Sequence, residues 1–251
     1  MLRRYLSKVR TASPPDYLID DGQIRDRVAL EALVESTNRA GGTYHQLDLT
    51  PGLRITGDYD MRKYVGHYAI PDDLTDLQVL DVGTASGYFA LECARRGAGV
   101  VAIDIWNSTP VQEIARNADV PITYVTKNVY DLNASFGQFD IVVCGSLLLH
   151  LPDVFGAIRA MRTVCRERLC VSTASTEDSA RSDRPICEFI GLPGEDGDYH
   201  TFWQVSEAAL ERMLRAAGFA RVANQRHFSL DSEKGRHPFA TPHIVMTAFA
   251  G

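Results

Sequence analysis

Two carboxylates and two glycines carry the chemistry that can be read first. Val79-Leu80-Asp81-Val82-Gly83-Thr84-Ala85-Ser86-Gly87-Tyr88-Phe89 runs from an apolar segment through an acid into a glycine-containing turn. Val100-Val101-Ala102-Ile103-Asp104 repeats the apolar-to-acid pattern roughly twenty positions later. Gly83 lets the chain turn sharply off a strand, and Gly87 lets a helix start lie close to a ligand. The pattern predicts a strand, tight turn, helix, strand unit with a carboxylate at the tip of each strand. Such a unit builds a crevice for a nucleoside at the carboxyl ends of parallel strands, with the second acid on the ribose hydroxyls.

Two ligands compete for that crevice. A dinucleotide asks for G-x-G-x-x-G, with a helix amino end facing a pyrophosphate. Here Ala85 stands at the middle glycine position and Ala90 at the last. S-adenosylmethionine (SAM) carries an ammonium and a sulfonium and no phosphate, so it suits an acid ahead of the turn. The class I methyltransferase signature, an acid followed by G-x-G-x-G, resembles Asp81-Val82-Gly83-Thr84-Ala85-Ser86-Gly87 with one glycine replaced by alanine. SAM is therefore the expected cofactor. Asp81, Gly83, Thr84, Ala85, Gly87, Asp104 and Ile105 are the expected binding residues. A turn with no ligand would leave both strand-end acids unexplained.

The elements that must position these residues follow from periodicity. Strands are predicted at 78–82, 99–104, 122–126, 139–144, 168–174, 220–228 and 243–249, and helices near 86–96, 110–117, 153–164 and 206–217. Their alternation implies an α/β fold: a Rossmann-like doubly wound sheet of seven strands, its last two strands forming an antiparallel pair. Gly218 reads as a helix carboxyl cap. Residues 1–75 are expected to form a cap. It holds a basic amino terminus (Arg3, Arg4, Lys8, Arg10), a Pro14-Pro15 break, a helix through Ile24, Val28, Leu30, Leu33 and Val34, and a turn-rich stretch over 41–75. The cap is read as helical, with the SAM-binding domain over 76–251. Residues 175–205 lack periodicity and are expected to form a lid, because a loop that long is usually functional. The polar stretch Asp231–Thr241 reads as another loop.

More candidates sit at the strand ends. Asn128 and Val129 follow the third strand, where an amide and the next backbone N–H could meet an adenine; Asn128 could equally make a turn. Gly145 and Ser146 end the fourth strand and are expected beside the methionine part of SAM. His150 and His200 are candidate catalytic bases, since an imidazole titrates near physiological pH. The alternatives are that His150 ties its loop to the next helix and that His200 lies on the surface. His45, Arg62 and Lys63 in the cap, and Trp203 in the lid, are candidate substrate residues. Trp203 could instead anchor the lid.

Composition narrows the class. Of 251 residues 45% are apolar, enough for a full core. The net charge of −6 gives no global pull toward nucleic acid. No apolar run is long enough to span a bilayer, and no signal-peptide h-region follows the basic start, so a cytoplasmic protein is expected. Five cysteines without C-x-x-C spacing suggest reduced thiols and no metal site.

Several segments together resemble the bacterial tRNA wobble-uridine methyltransferase-like family. They are Tyr44–Leu49, the turn at Pro51-Gly52, Asp72–Thr75, Val79–Phe89, Leu148–His150 and the stretch from Trp203 to Phe219, and the similarity spans roughly residues 41–225. The resemblance implies either carboxymethyl transfer from carboxy-SAM to a wobble uridine or plain methylation of a small molecule. Lys63 falls where the carboxy-SAM enzymes place a basic residue. Leu149 stands where they carry a tyrosine, and no arginine matches theirs around His243. A carboxylate needs charge-assisted partners, so ordinary SAM is the expected cofactor. The expected reaction is O-methylation of a small-molecule acceptor. tRNA modification and a non-catalytic SAM-binding module are the alternatives; the oligomeric state is left open.

Overall fold

Side chains along a strand point alternately to opposite faces, and that alternation sorts the core of this protein into two layers. The computed structural model describes residues 17–107, 109–176, 183–191, 201–232 and 240–251. The large sheet is built from β5 (Gln78–Val82), β6 (Gly99–Asp104), β7 (Ile122–Thr126), β8 (Phe139–Cys144), β9 (Cys165–Ala174), β12 (Arg221–Leu230) and β13 (Thr241–Phe249), in the order β12-β13-β9-β8-β5-β6-β7. Val79, Val100, Ala102, Ile141, Val143 and Val245 face one apolar layer. Their neighbours Leu80, Val82, Ile103, Val142, Cys144, Ile244 and Met246 face the other. Covering both faces explains why β8 is buried along its whole length.

The helices complete the layers. α2 (Tyr88–Arg95) and α3 (Pro110–Asn117) pack on the first face, and α4 (Val154–Val164) and α5 (Glu207–Ala216) on the second. Their starts carry local signals. Asp153 caps α4 by accepting the Gly156 N–H, Ser206 caps α5 by accepting from Ala209, and Pro110 occupies the first turn of α3. Gly218 ends α5 as expected, with φ +99°. β5 through β9 are parallel, while β13 runs antiparallel to both β9 and β12. The chain winds outward from β5 to β7, then returns to place β8 on the other side of β5. The carboxyl ends of β5 and β8 therefore flank the point where the winding reverses, the usual place for a ligand crevice.

The expected seven-stranded doubly wound sheet is what forms, with differences in detail. β9 starts at Cys165, directly after α4, because Arg166 pairs with Asp140 at 2.6 Å and Cys165 falls in register with Phe139. The cap contains the expected helix, α1 (Arg27–Arg39), and adds four short strands: β1 (Thr43–His45), β2 (Leu47–Thr50), β3 (Leu53–Ile55) and β4 (Gly57–Tyr59). Strands of three or four residues, broken at Gly42, Pro51-Gly52 and Gly57, are too short to show a period. Within the proposed lid, β10 (Cys187–Phe189) pairs antiparallel with β11 (Trp203–Val205). The basic amino terminus, most of Asp231–Thr241 and part of the lid, with His200, lie outside the described residues.

The cap is sewn to the sheet. Arg25 donates to the carbonyls of Ala115, Arg116 and Ala118, closing the carboxyl end of α3, where a cation is favoured. Arg96 donates to the Ile70 and Pro71 carbonyls and pairs with buried Glu92. Among the described residues no helix is long and apolar enough to cross a membrane.

Candidate active site

The turn after β5 is held by its own side chains. Thr84 Oγ1 donates to Asp81 Oδ2 at 2.6 Å, and the N–H groups of Gly83 and Thr84 donate to the Ile103 carbonyl. Gly87, at φ +99°, caps α2; a Cβ there would lie 2.3 Å from Val111 Cβ. Only glycine satisfies both the dihedral and the close approach. At the tip of β6, Asp104 accepts the Ala85 N–H at 2.9 Å through Oδ2 and the Ile105 N–H at 2.7 Å through Oδ1. The two strand-end acids therefore converge on one turn, as the spacing predicts.

Their electrostatics suit a cation. Burial pushes the Asp81 carboxyl up to about 7; the Thr84 hydroxyl opposes this, and the Asp104 carboxylate adds to it. A buried acid next to a second acid is uncomfortable alone and is relieved by a positive group. Ile105 and Trp106, directly after Asp104, expose 59% and 64% of their surface, leaving an apolar face beside an acid. A ligand with a flat apolar base, a sugar and a cationic tail matches this set of groups, and a pyrophosphate does not. The residues thus fit SAM: Asp104 for the ribose, Ile105 and Trp106 for the base, and Asp81 for the cationic end.

Other expected residues land less simply. Asn128 Oδ1 accepts the Tyr130 N–H at 3.0 Å, so its amide oxygen makes the turn that alternative reading allows; Val129 beside it is buried. Gly145 and Ser146 follow β8. A Cβ on Gly145 would sit 2.7 Å from the Tyr68 ring and 2.8 Å from that of Phe89, so glycine is required for the cap to close there. Arg62 is taken up by Asp60, at 2.8 and 2.7 Å, and by Asp48 at 3.0 Å. Lys63 is exposed. Trp203 donates its indole N–H to the Pro152 carbonyl at 3.2 Å, and the Phe202 N–H bonds to the Leu149 carbonyl, so β11 is anchored to the loop after β8.

His45 is brought to the turn: its N–H donates to Ser86 Oγ at 2.8 Å, and its ring packs by those of Tyr44, Tyr88 and Phe89. Neither ring nitrogen has a partner among the described residues, and burial pushes its pKa down to about 3, so the ring is neutral. A buried polar group left unpaired is costly, and a ligand group reaching it would remove that cost.

The structure adds two residues that sequence reasoning missed, His243 and Tyr68, beside the expected His150. His150 lies in a 3₁₀ turn after β8 and is close enough to His243 to influence it electrostatically. His243 bonds Ser146 and stacks on Phe228, at 5.4 Å between ring centres. Tyr68, from the cap, bonds Ser172 at 2.7 Å. A histidine in an otherwise apolar strand was the available signal for His243, but its neighbours depend on the register of β13 against β9.

Comparison with known proteins finds methyltransferases. A methyltransferase-domain family model matches residues 80–168. The ubiquinone biosynthesis O-methyltransferase of Xanthomonas oryzae pv. oryzae (strain PXO99A) is 32% identical over 202 residues, covering 72% of this chain and 84% of that enzyme. The enzyme of the same name from Xanthomonas euvesicatoria pv. vesicatoria (strain 85-10) is 32% identical over 154 residues; there the match spans 58% of this chain and 64% of the relative. The crystal structure of a SAM-dependent methyltransferase from Methanosarcina mazei shares the fold, with TM-score 0.57 at 19% identity over 74% of this chain and 97% of that one.

Proposed function

The chain belongs to the class I SAM-dependent methyltransferases, and we propose that it methylates a hydroxyl oxygen of a small, ring-bearing acceptor. The observation that carries the cofactor side is the convergence of Asp81 and Asp104 on the turn from Gly83 to Gly87. The acceptor side is supported by the O-methyltransferase names of its relatives. It is supported too by the aromatic rings beside His243, the partner of Ser146: Phe228 stacks on His243 and lies 6.5 Å from Tyr68 between ring centres.

Bound SAM supplies a methyl group already activated by its positive sulfur. The acceptor's hydroxyl oxygen would take up that methyl group as its proton leaves to solvent, with the neutral thioether S-adenosylhomocysteine as the leaving group. The protein's share is orientation. Asp81, Gly83, Thr84, Ala85, Gly87, Asp104, Ile105, Asn128 and Val129 hold the cofactor, with His45 reaching its inner end. His150 or His200 is needed as a base only for a weakly acidic hydroxyl.

The test is calorimetric titration with SAM, S-adenosylhomocysteine and carboxy-SAM, beside a tRNA gel shift and a methylation assay on ring hydroxyls. Asp104→Ala is expected to weaken SAM binding by about tenfold or more, because charge-assisted hydrogen bonds are lost; unchanged affinity would remove Asp104 from the site. The wobble-uridine reading, which rests on the likeness of residues 44–49 and 203–219 to those enzymes, requires a carboxy-SAM preference or a salt-sensitive tRNA shift.

A further inference from the structure

A serine and a histidine from distant parts of the chain meet between the two halves of the crevice. Ser146 follows β8, and His243 lies near the start of β13. Ser146 Oγ and His243 Nε2 are 3.0 Å apart, and His243 Nδ1 is 2.9 Å from the Thr241 carbonyl oxygen. A carbonyl can only accept, so in the neutral ring Nδ1 carries the proton and donates it. Nε2 is then the bare nitrogen, and the Ser146 hydroxyl donates to it. The ring is neutral at ordinary pH: burial pushes its pKa down to about 4, the Thr241 bond opposes, and neighbouring His150 pushes the same way as burial. His243 is buried while Ser146 is half-buried. The only hydrogen of the serine hydroxyl is thus committed inward, and its lone pairs remain for a ligand.

We propose that Ser146, held by His243, reads the acceptor as a hydrogen-bond donor: a substrate hydroxyl bonds to Ser146 Oγ, and an ether does not. This deepens the O-methylation reading above and rests on it. Methylation removes the hydrogen that the pair binds, so substrate is retained and product released by one contact. The setting is aromatic. Phe228 stacks on His243 at 24°, and the same ring is stacked with Tyr64 at 4.9 Å and His67 at 5.5 Å. β8 adjoins β5 and its turn on one side, β9 and then β13 on the other, so Ser146 stands where cofactor and acceptor must meet. His243 acts through Ser146 and is a positioning residue.

The experiment titrates 3,4-dihydroxybenzoate and 3,4-dimethoxybenzoate into the S-adenosylhomocysteine complex. Wild type is expected to bind the dihydroxy probe about tenfold or more tightly than the ether. In Ser146→Ala that ratio falls close to one. His243→Gln, whose amide oxygen can still accept from Ser146, keeps the preference, and His243→Leu loses it. A preference unchanged in Ser146→Ala overturns the assignment and leaves O-methylation standing. A loss of cofactor affinity of more than about tenfold in Ser146→Ala does the same, because it gives the hydroxyl to SAM instead. Wild type that binds SAM yet neither binds nor methylates the dihydroxy probe overturns methylation of ring hydroxyls, and the inference with it.

Discussion

Asp81 is where the chemistry of a single residue reaches furthest. Its carboxyl is held near 7 by burial, against an ordinary 3.8. A group whose pKa is raised by folding adds stability that is full below its unfolded pKa and is lost as pH rises through its folded pKa. The ligand-free protein should therefore lose thermal stability, relative to Asp81→Asn, as pH rises from the ordinary value of 3.8 to about 7, and should level off above that. A positive group bound beside Asp81 favours the carboxylate, so SAM binding near pH 7 should release a proton. Calorimetry in two buffers of different ionisation enthalpy reads this directly. Equal apparent enthalpies in both would mean that SAM does not meet Asp81.

The elements that matter most are the turn and the helix behind it. Gly87 opens α2 at a positive φ with Val111 of α3 pressed against it. Gly87→Ala should cost about 2 kcal/mol or more, from dihedral strain plus the clash, seen as a lowered denaturant midpoint with unchanged slope. Adding Val111→Ala should recover the clash and leave the strain. This turn was legible in the sequence because each of its requirements is local: a strand that ends, a backbone that reverses, a helix that begins. The cap strands were not legible, since β1 to β4 run three or four residues each and take their pairing from the rest of the cap. The β10–β11 pair was missed for a related reason. Its partners, Cys187 with Val205 and Phe189 with Trp203, lie far apart in sequence.

Across the whole molecule, cap and sheet share one apolar layer, running from Leu18 and Leu30 through Tyr68 and Phe89 to Val143 and Val245. Tyr68 sits fully buried at its centre, with its hydroxyl on Ser172 and its ring by Gly145. Tyr68→Ala should destabilise by about 3 kcal/mol or more. Far-ultraviolet and near-ultraviolet circular dichroism should still report a single coincident transition, because the removed ring belongs to both parts. Two separated transitions would show that the cap melts on its own.

By itself the sequence determined the parallel sheet, the glycine turn after β5 and the two acids that converge on it. Those features arise from alternation along a strand and from the dihedral freedom of glycine, both encoded within a few residues. Only the tertiary structure decided that Ser146 meets His243, that Arg62 spends its charge on Asp48 and Asp60, and that Asn128 turns its oxygen to its own backbone. A hydrogen bond between residues on β8 and β13 depends on which strands lie side by side and in what register. That is settled by burying two faces of a sheet at once, not by any local pattern.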